Sequence, residues 1–229
     1  GDSVDMIRAR HFFLNRGFYD GVSEKINNVI RQLLSKDDEI ANVLDVGCGE
    51  GYYLANLKAY IGHEVPINFF GVDIAKDAVK LATKRDNEVT WLVGNNFHLP
   101  FKSESLDIVY SVFSPINFEE CSRVLKSEGY LVRVLPNASH LIEMRRIIYS
   151  EIDVRDKAYE KNIPENVISV HKEDIAYEIH LDREGIKNLF KMTPHYWRAT
   201  LADKDILESH HAMSLTVDMA LHVYQKKKN

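Results

Sequence analysis

From residue 41 onward, short runs of consecutive apolar residues alternate with stretches in which apolar positions recur every three or four residues. The first pattern predicts buried strands and the second predicts helices. Strands are expected at 41–46, 67–73, 89–93, 106–112 and 128–135, with helices near 51–60, 76–85, 117–126 and 138–149. Short buried strands separated by helices imply a parallel sheet with right-handed crossovers, an α/β, doubly wound arrangement.

Ahead of the sheet, 4–16 places Met6, Ile7, Phe13 and Leu14 among arginines in a helical pattern that stops at Gly17. A second helix over about 21–35 repeats apolar positions at Val22, Ile26, Val29, Ile30, Leu33 and Leu34, and both helices should pack on the same sheet. Beyond 150 the stretch "EIDVRDKAYEKNIPEN" is polar, "VISVHKEDIAYEIHL" alternates like a strand pair, and Asp182 reads as the N-cap of a helix running to about Lys191. The final alternation, "LTVDMALHVYQ", predicts a strand that closes the sheet edge. The chain is expected to be a single domain over 1–229. Within it, N-terminal helices would occupy 1–38, a ligand-binding core 39–150, a substrate-side insertion 151–200 and the closing segment 201–229.

Composition narrows the class. Of 229 residues, 45% are apolar and 28% charged, without low-complexity tracts, so the chain reads as globular throughout. Cys48 and Cys121 are too few and too far apart for a disulfide framework or a metal knuckle, and no run of apolar residues is long enough to span a membrane. A cytoplasmic protein without membrane attachment is expected. The net charge of −5 argues against a general phosphate-gripping surface and leaves room for a local basic face built from Arg8, Arg10, Arg16, Arg145 and Arg146. Lys226, Lys227 and Lys228 read as a solubilising tail.

The chemistry concentrates in "VLDVGCGEGYYL" at 43–54. A strand, a glycine turn and a helix in succession present free backbone N–H groups and the positive end of a helix dipole at the carboxyl edge of the sheet. Gly47, Gly49 and Gly51 depart from the dinucleotide spacing, and Asp45 leads them. That acid would repel a pyrophosphate and suits an ammonium, so the ligand should carry both signs. Asp73 closes the next strand, where an acid accepts from ribose hydroxyls, and Ile74 is placed to lie against an adenine face. In "VGNNFHLPF", Asn95 is expected to accept from an adenine amino group through its side chain, and the Asn96 backbone N–H to donate to the ring.

These three signals in this order resemble the class I S-adenosylmethionine-dependent methyltransferases, which implies a Rossmann-like seven-stranded sheet and S-adenosylmethionine (SAM) as cofactor. The Asn/Asp-Pro-Pro-aromatic motif of exocyclic amino-group methylation is replaced by Phe113-Ser114-Pro115. The segments "GDSVDMIRARHFFLNRGFYDGVSEKIN", "VLDVGCGEGYYL", "HLPF", "SHLIEMRRIIYSE" and "MTPHYWRA" resemble, in order and spacing, the bacterial 23S ribosomal RNA guanine-N1-methyltransferases, from Gly1 to about Gln225. That resemblance implies that Tyr19, Tyr53, Leu54 and His140 belong to the cofactor site. Members of the family begin with a small cysteine and histidine zinc module, and no such cluster is present in this sequence, so zinc is expected to be absent from this chain.

If the acceptor is N1 of a guanine in large-subunit ribosomal RNA, the base must be splayed out and supported by aromatic or guanidinium planes, for which Phe113, Trp197 and Arg198 are suitable types. N1 carries a proton at neutral pH, so either a general base or a hydrogen bond that favours the deprotonated ring is required, and His140 and Glu119 are candidates for the base by position. Two other readings stay open at this point: a small-molecule methyltransferase, and a non-catalytic cofactor-binding protein associated with the ribosome.

Overall fold

A computed structural model describes residues 2–34, 40–62, 66–149, 151 and 163–228. Two helices lead: α1 (Val4–Asn15), capped by the Ser3 hydroxyl accepting from the Met6 N–H, and α2 (Asp20–Leu33), whose Val22, Ile26, Val29 and Ile30 are buried. There follow β1 (Ala41–Val46), α3 (Tyr52–Ile61), β2 (Ile67–Asp73), α4 (Lys76–Arg85), β3 (Thr90–Val93), β4 (Leu106–Val112), α5 (Phe118–Val124), β5 (Leu125–Pro136) and α6 (Ile142–Ile148). The chain continues with β6 (Val167–Asp182), α7 (Arg183–Met192), a 3₁₀ turn (Pro194–Trp197), α8 (Leu201–Ser209) and β7 (Ala212–Lys226).

The strands form one seven-stranded sheet in the order β3-β2-β1-β4-β5-β7-β6. All pairings among β1 to β5 are parallel, and β7 runs antiparallel to both β5 and β6. Because the chain steps outward from β1 to β3 and returns to place β4 beside β1, the strand order reverses there. In open α/β sheets the crevice at the carboxyl ends of such a pair is where ligands bind.

Apolar side chains bury both faces. On one face Phe13, Ile26, Leu57, Val132, Leu189 and Leu221 join α1, α2, α3 and α7 to the sheet, so the two leading helices share a sheet face as expected. On the other, Phe118 and Cys121 of α5 join Val46, Val109 and Leu131 of the sheet in one buried cluster.

The C-terminal third departs from expectation. The stretch 167–182 is a single strand rather than a strand pair, paired along its length with β7. It holds no glycine or proline that would turn the chain. The last strand therefore does not close an edge: it lies between β5 and β6, and β6 is the edge. The segment 151–200 consequently supplies a sheet strand and a core helix, while residues 152–162 of its polar start lie outside the described residues. Asp182 does cap α7, its carboxylate accepting from the Gly185 N–H at 2.8 Å. Lys226 is no part of a solvated tail: it is 5% exposed, and its ammonium donates to the Leu125 carbonyl at 2.8 Å and pairs with Glu104. Among the described residues no helix is long and apolar enough to cross a membrane.

Candidate active site

A cleft of about 1290 Å³ opens at the carboxyl ends of β1 and β4. Its floor is the glycine loop, pinned to the neighbouring strand by the N–H groups of Gly47 and Cys48, which both donate to the Val72 carbonyl. Gly47 has φ +78° and lies so close to Ser114 that an added Cβ would come within 2.1 Å of its hydroxyl. Gly49 differs: at φ +54° its Cβ direction meets only the Arg10 guanidinium, 3.9 Å away, so a ligand can lie against bare backbone there. Gly51 is a packing residue, closed in by the Trp91 ring at 2.6 Å from a hypothetical Cβ, and it does not line the cleft.

Asp73 is braced at the loop's edge. One carboxylate oxygen accepts the Gly49 N–H at 2.9 Å and the other accepts the Ala75 N–H at 2.8 Å, which leaves lone pairs on each for a further donor. Ile74 beside it is 58% exposed on the cleft wall, as an apolar platform for a ring would be. Asp45 is buried at the floor, and burial first, then the charge of Asp73, pushes its carboxyl up to about 8. Its Oδ2, the Tyr53 hydroxyl and the Asn96 Oδ1 are buried without a hydrogen-bond partner, and all three residues line the cleft. Unmet buried polar atoms are rare enough to demand a reason, and three on one cleft fit a polar ligand.

Asn96 also donates to the Ser114 hydroxyl at 3.0 Å, which ties the loop after β3 to the loop after β4. Asn95 does not reach the cleft. Its side-chain oxygen accepts the Phe97 N–H at 2.9 Å in a local turn, so the expected contact from that side chain is replaced by turn formation. Leu54 is fully buried in the core under α3 and is likewise outside the cleft lining.

The glycine loop itself contains a residue that sequence reasoning missed. Glu50, inside the glycine loop and only 2% exposed, accepts from Arg85 at 2.6 Å and contacts His11 Nδ1 at 2.6 Å; Arg85 in turn donates to Asn15 at 2.8 Å. The cluster locks α1 and α4 onto the loop. Nothing local in the sequence announces it, because its partners lie 39 and 35 residues away.

Tyr19, Phe113 and His140 form an aromatic group across the cleft. Phe113 follows β4 with φ +59°, a conformation disfavoured for a bulky residue, and its ring stacks on His140 at 6.0 Å with 21° between planes. The His140 Nδ1 accepts the Asp218 N–H at 3.3 Å, so in the neutral ring Nε2 carries the proton and donates to the Tyr19 oxygen at 3.3 Å. Burial drives its pKa down to about 3. His140 is therefore a neutral orienting group and a poor base. Glu119, the other candidate base, lies in a separate small hollow with Ser122, Arg123 and Lys226, away from the cleft.

Further out, Trp197 is 65% exposed at the mouth, its indole N–H directed at the Met6 sulfur at 3.4 Å, with Arg198 beside it. Arg10 and Arg145 line the cleft, Arg16 is paired with Asp182, and Arg8 and Arg146 are exposed outside it, so the basic rim contracts to two of the five arginines. Among the described residues no group of three or more His, Cys, Asp or Glu side chains is placed to hold a metal.

Residues 44–133 match the methyltransferase domain family. Over 97% of its length the chain is 31% identical to YxjB of Bacillus subtilis (strain 168), which is provisionally named a 23S rRNA (guanine-N(1)-)-methyltransferase and 80% of which is covered. The chain belongs to this methyltransferase family. The 23S rRNA (guanine(748)-N(1))-methyltransferase of Streptomyces fradiae is 26% identical over 86% of the chain and 70% of its own length. Among solved structures, the geranyl diphosphate C-methyltransferase of Streptomyces coelicolor, crystallised with S-adenosyl-L-homocysteine, shares the fold at a TM-score of 0.52 with 14% identity, over 89% of this chain and 76% of that one. The protein is thus a SAM-dependent methyltransferase. The orphaned acid, the bare backbone at Gly49 and the braced Asp73 fit the ammonium, methionine and ribose parts of that cofactor.

Proposed function

We propose that this methyltransferase transfers the methyl group of SAM to N1 of a guanine in large-subunit ribosomal RNA. The observation that carries the reading is the similarity to a protein named for that reaction, at 31% identity over 97% of this chain and 80% of the relative. The cleft supports it: at about 1290 Å³ it exceeds the roughly 300–1,000 Å³ usual for one small ligand, leaving room for a second group beside the cofactor.

When bound, SAM supplies an electrophilic methyl group for in-line displacement. This chain's part is placement, the main source of acceleration in such a transfer. Asp45 would face the ammonium, Gly47 and Gly49 would let the backbone approach, Asp73 would accept from the ribose hydroxyls, and Ile74 with Asn96 would border the adenine. Tyr53, and Tyr19 oriented by His140, would complete the cofactor side. Phe113 and Trp197 offer ring faces to a splayed guanine, and Arg198 and Arg145 offer cations to flanking phosphates. The N1 proton does not pass to His140, whose Nδ1 is occupied by a backbone amide. A ribosomal substrate goes with a cytoplasmic location.

The test is methyl transfer from labelled SAM to large-subunit RNA lacking native modifications, followed by nuclease digestion and mass spectrometry. One modified guanine carrying the mark at N1 is expected. A mark on an exocyclic nitrogen, or turnover with metabolites and none with RNA, overturns the reading.

A further inference from the structure

Arg10 is carried to the glycine loop by α1, and its Nη1 is the nearest heavy atom to the Cβ direction of Gly49. The helix cannot easily slide, because the next residue, His11, is tied to the buried Glu50 of the loop, and Asn15 is tied through Arg85 to the same carboxylate. The guanidinium is held against backbone that carries no side chain. It already grips a carboxylate: Asp2, which precedes α1, pairs with Nη1, and both residues line the cleft. A planar guanidinium is the side chain best matched to a carboxylate's two oxygens. The cleft also holds the opposite sign, since Asp45 presents an unmet, buried carboxyl oxygen. One fixed cation and one acid along the same bare loop are the complement of an α-amino acid, which carries a carboxylate and an ammonium on one carbon.

We propose that Arg10 is the binding residue for the α-carboxylate of SAM's methionine part, and that Asp2 competes for the same guanidinium. Arg10 then belongs to the cofactor and not to an RNA-facing basic rim. The assignment is independent of which acceptor is methylated, so it stands or falls apart from the ribosomal reading.

The experiment is calorimetric titration with two probes, S-adenosylhomocysteine, which has the carboxylate, and 5′-methylthioadenosine, which lacks the amino acid. Arg10→Met is expected to weaken S-adenosylhomocysteine by about 10- to 100-fold, the range for a hydrogen bond to a charged group, and to leave methylthioadenosine unchanged. Arg10→Lys should recover part of the loss, and Asp2→Asn should tighten S-adenosylhomocysteine several-fold without affecting the other probe. Equal weakening of both probes would mean that Arg10 only shapes the loop. Unchanged affinity for S-adenosylhomocysteine in a variant that melts like the parent, with or without weaker RNA binding, would also overturn the proposal. Asp2→Asn tests it without touching Arg10, so a poorly folded arginine variant does not stall it: absence of tightening there removes the competition.

Discussion

Tyr19 and His140, 121 residues apart in the chain, meet at 3.3 Å across the cleft, with the histidine Nε2 donating and the tyrosine oxygen accepting. The direction of that bond follows from the Asp218 amide, which occupies the other ring nitrogen. It frees the Tyr19 proton for a donor role of its own. Tyr19→Phe should weaken cofactor binding by about 0.5–1.5 kcal/mol, the usual worth of one neutral hydrogen bond, with little change in turnover at saturation. Titration of S-adenosylhomocysteine beside a kcat measurement separates the two.

His140 also makes a prediction about pH. With its pKa pushed down to about 3 by burial, it stays neutral from pH 5 to 9, so no limb of the pH–rate profile in that window belongs to it. His140→Gln should lower the rate without moving either inflection. A limb that disappears in the variant would assign proton transfer to His140 after all.

Asp45 titrates in the opposite sense. Its carboxyl is raised from 3.8 to about 8, so the native state keeps a proton that the unfolded chain loses, and folding stability declines as pH rises between about 4 and 8. Without cofactor, the wild-type melting temperature should fall across that window more than that of Asp45→Asn. Pairing with the cofactor ammonium requires the ionised form, so S-adenosylhomocysteine binding near pH 7 should release a proton in the wild type and none in the variant, as calorimetry in buffers of different ionisation enthalpy would show.

Gly47 and Gly49 should respond differently to the same added methyl. Gly47→Ala drives a Cβ into Ser114 at positive φ and is expected to cost about 2–4 kcal/mol of stability, seen as a lower melting temperature. Gly49→Ala meets no packed neighbour and should cost about 1–2 kcal/mol, while cofactor affinity falls because the methyl enters the cleft. Equal affinities in wild type and Gly49→Ala would reduce the loop to a structural turn.

Trp197 is exposed enough to be removed without loss of fold. Trp197→Ala should leave the melting temperature and S-adenosylhomocysteine affinity unchanged and weaken RNA binding by about 1–3 kcal/mol, the worth of one base stacked on an aromatic ring. Competition binding with an RNA hairpin is the measurement.

The central sheet was legible because its strands are short apolar runs with sharp ends: the expected limits 41–46, 67–73 and 106–112 coincide with β1, β2 and β4. The strand ends placed the glycine loop after β1, Asp73 and Ile74 at the end of β2 and Asn96 beyond β3, and apart from Gly51 these positions line the cleft. Local pattern carries no strand order, so the interior position of β7 was not readable, nor was the unbroken 16-residue run of β6 that depends on it. Length hid α8 and the 3₁₀ turn, at nine and four residues too short for a clear period. Within one motif, residues an odd step apart separate: Tyr53 faces the cleft and Leu54 the core, a distinction set by how α3 packs. The Glu50 cluster and the approach of Arg10 exist only in three dimensions.

The placing of β7 bears on how the chain is made. A strand made after the six other strands of the sheet yet lying between β5 and β6 is what joins those two, and until it arrives the 16 residues of β6 have no hydrogen-bonded neighbour in the sheet. During translation, then, the first five strands can assemble beside one another as they emerge, but the sixth waits for the seventh. A stop codon ahead of Ala212 would not trim a border from the sheet; it would cut β6 loose, leaving a long bare edge open to aggregation.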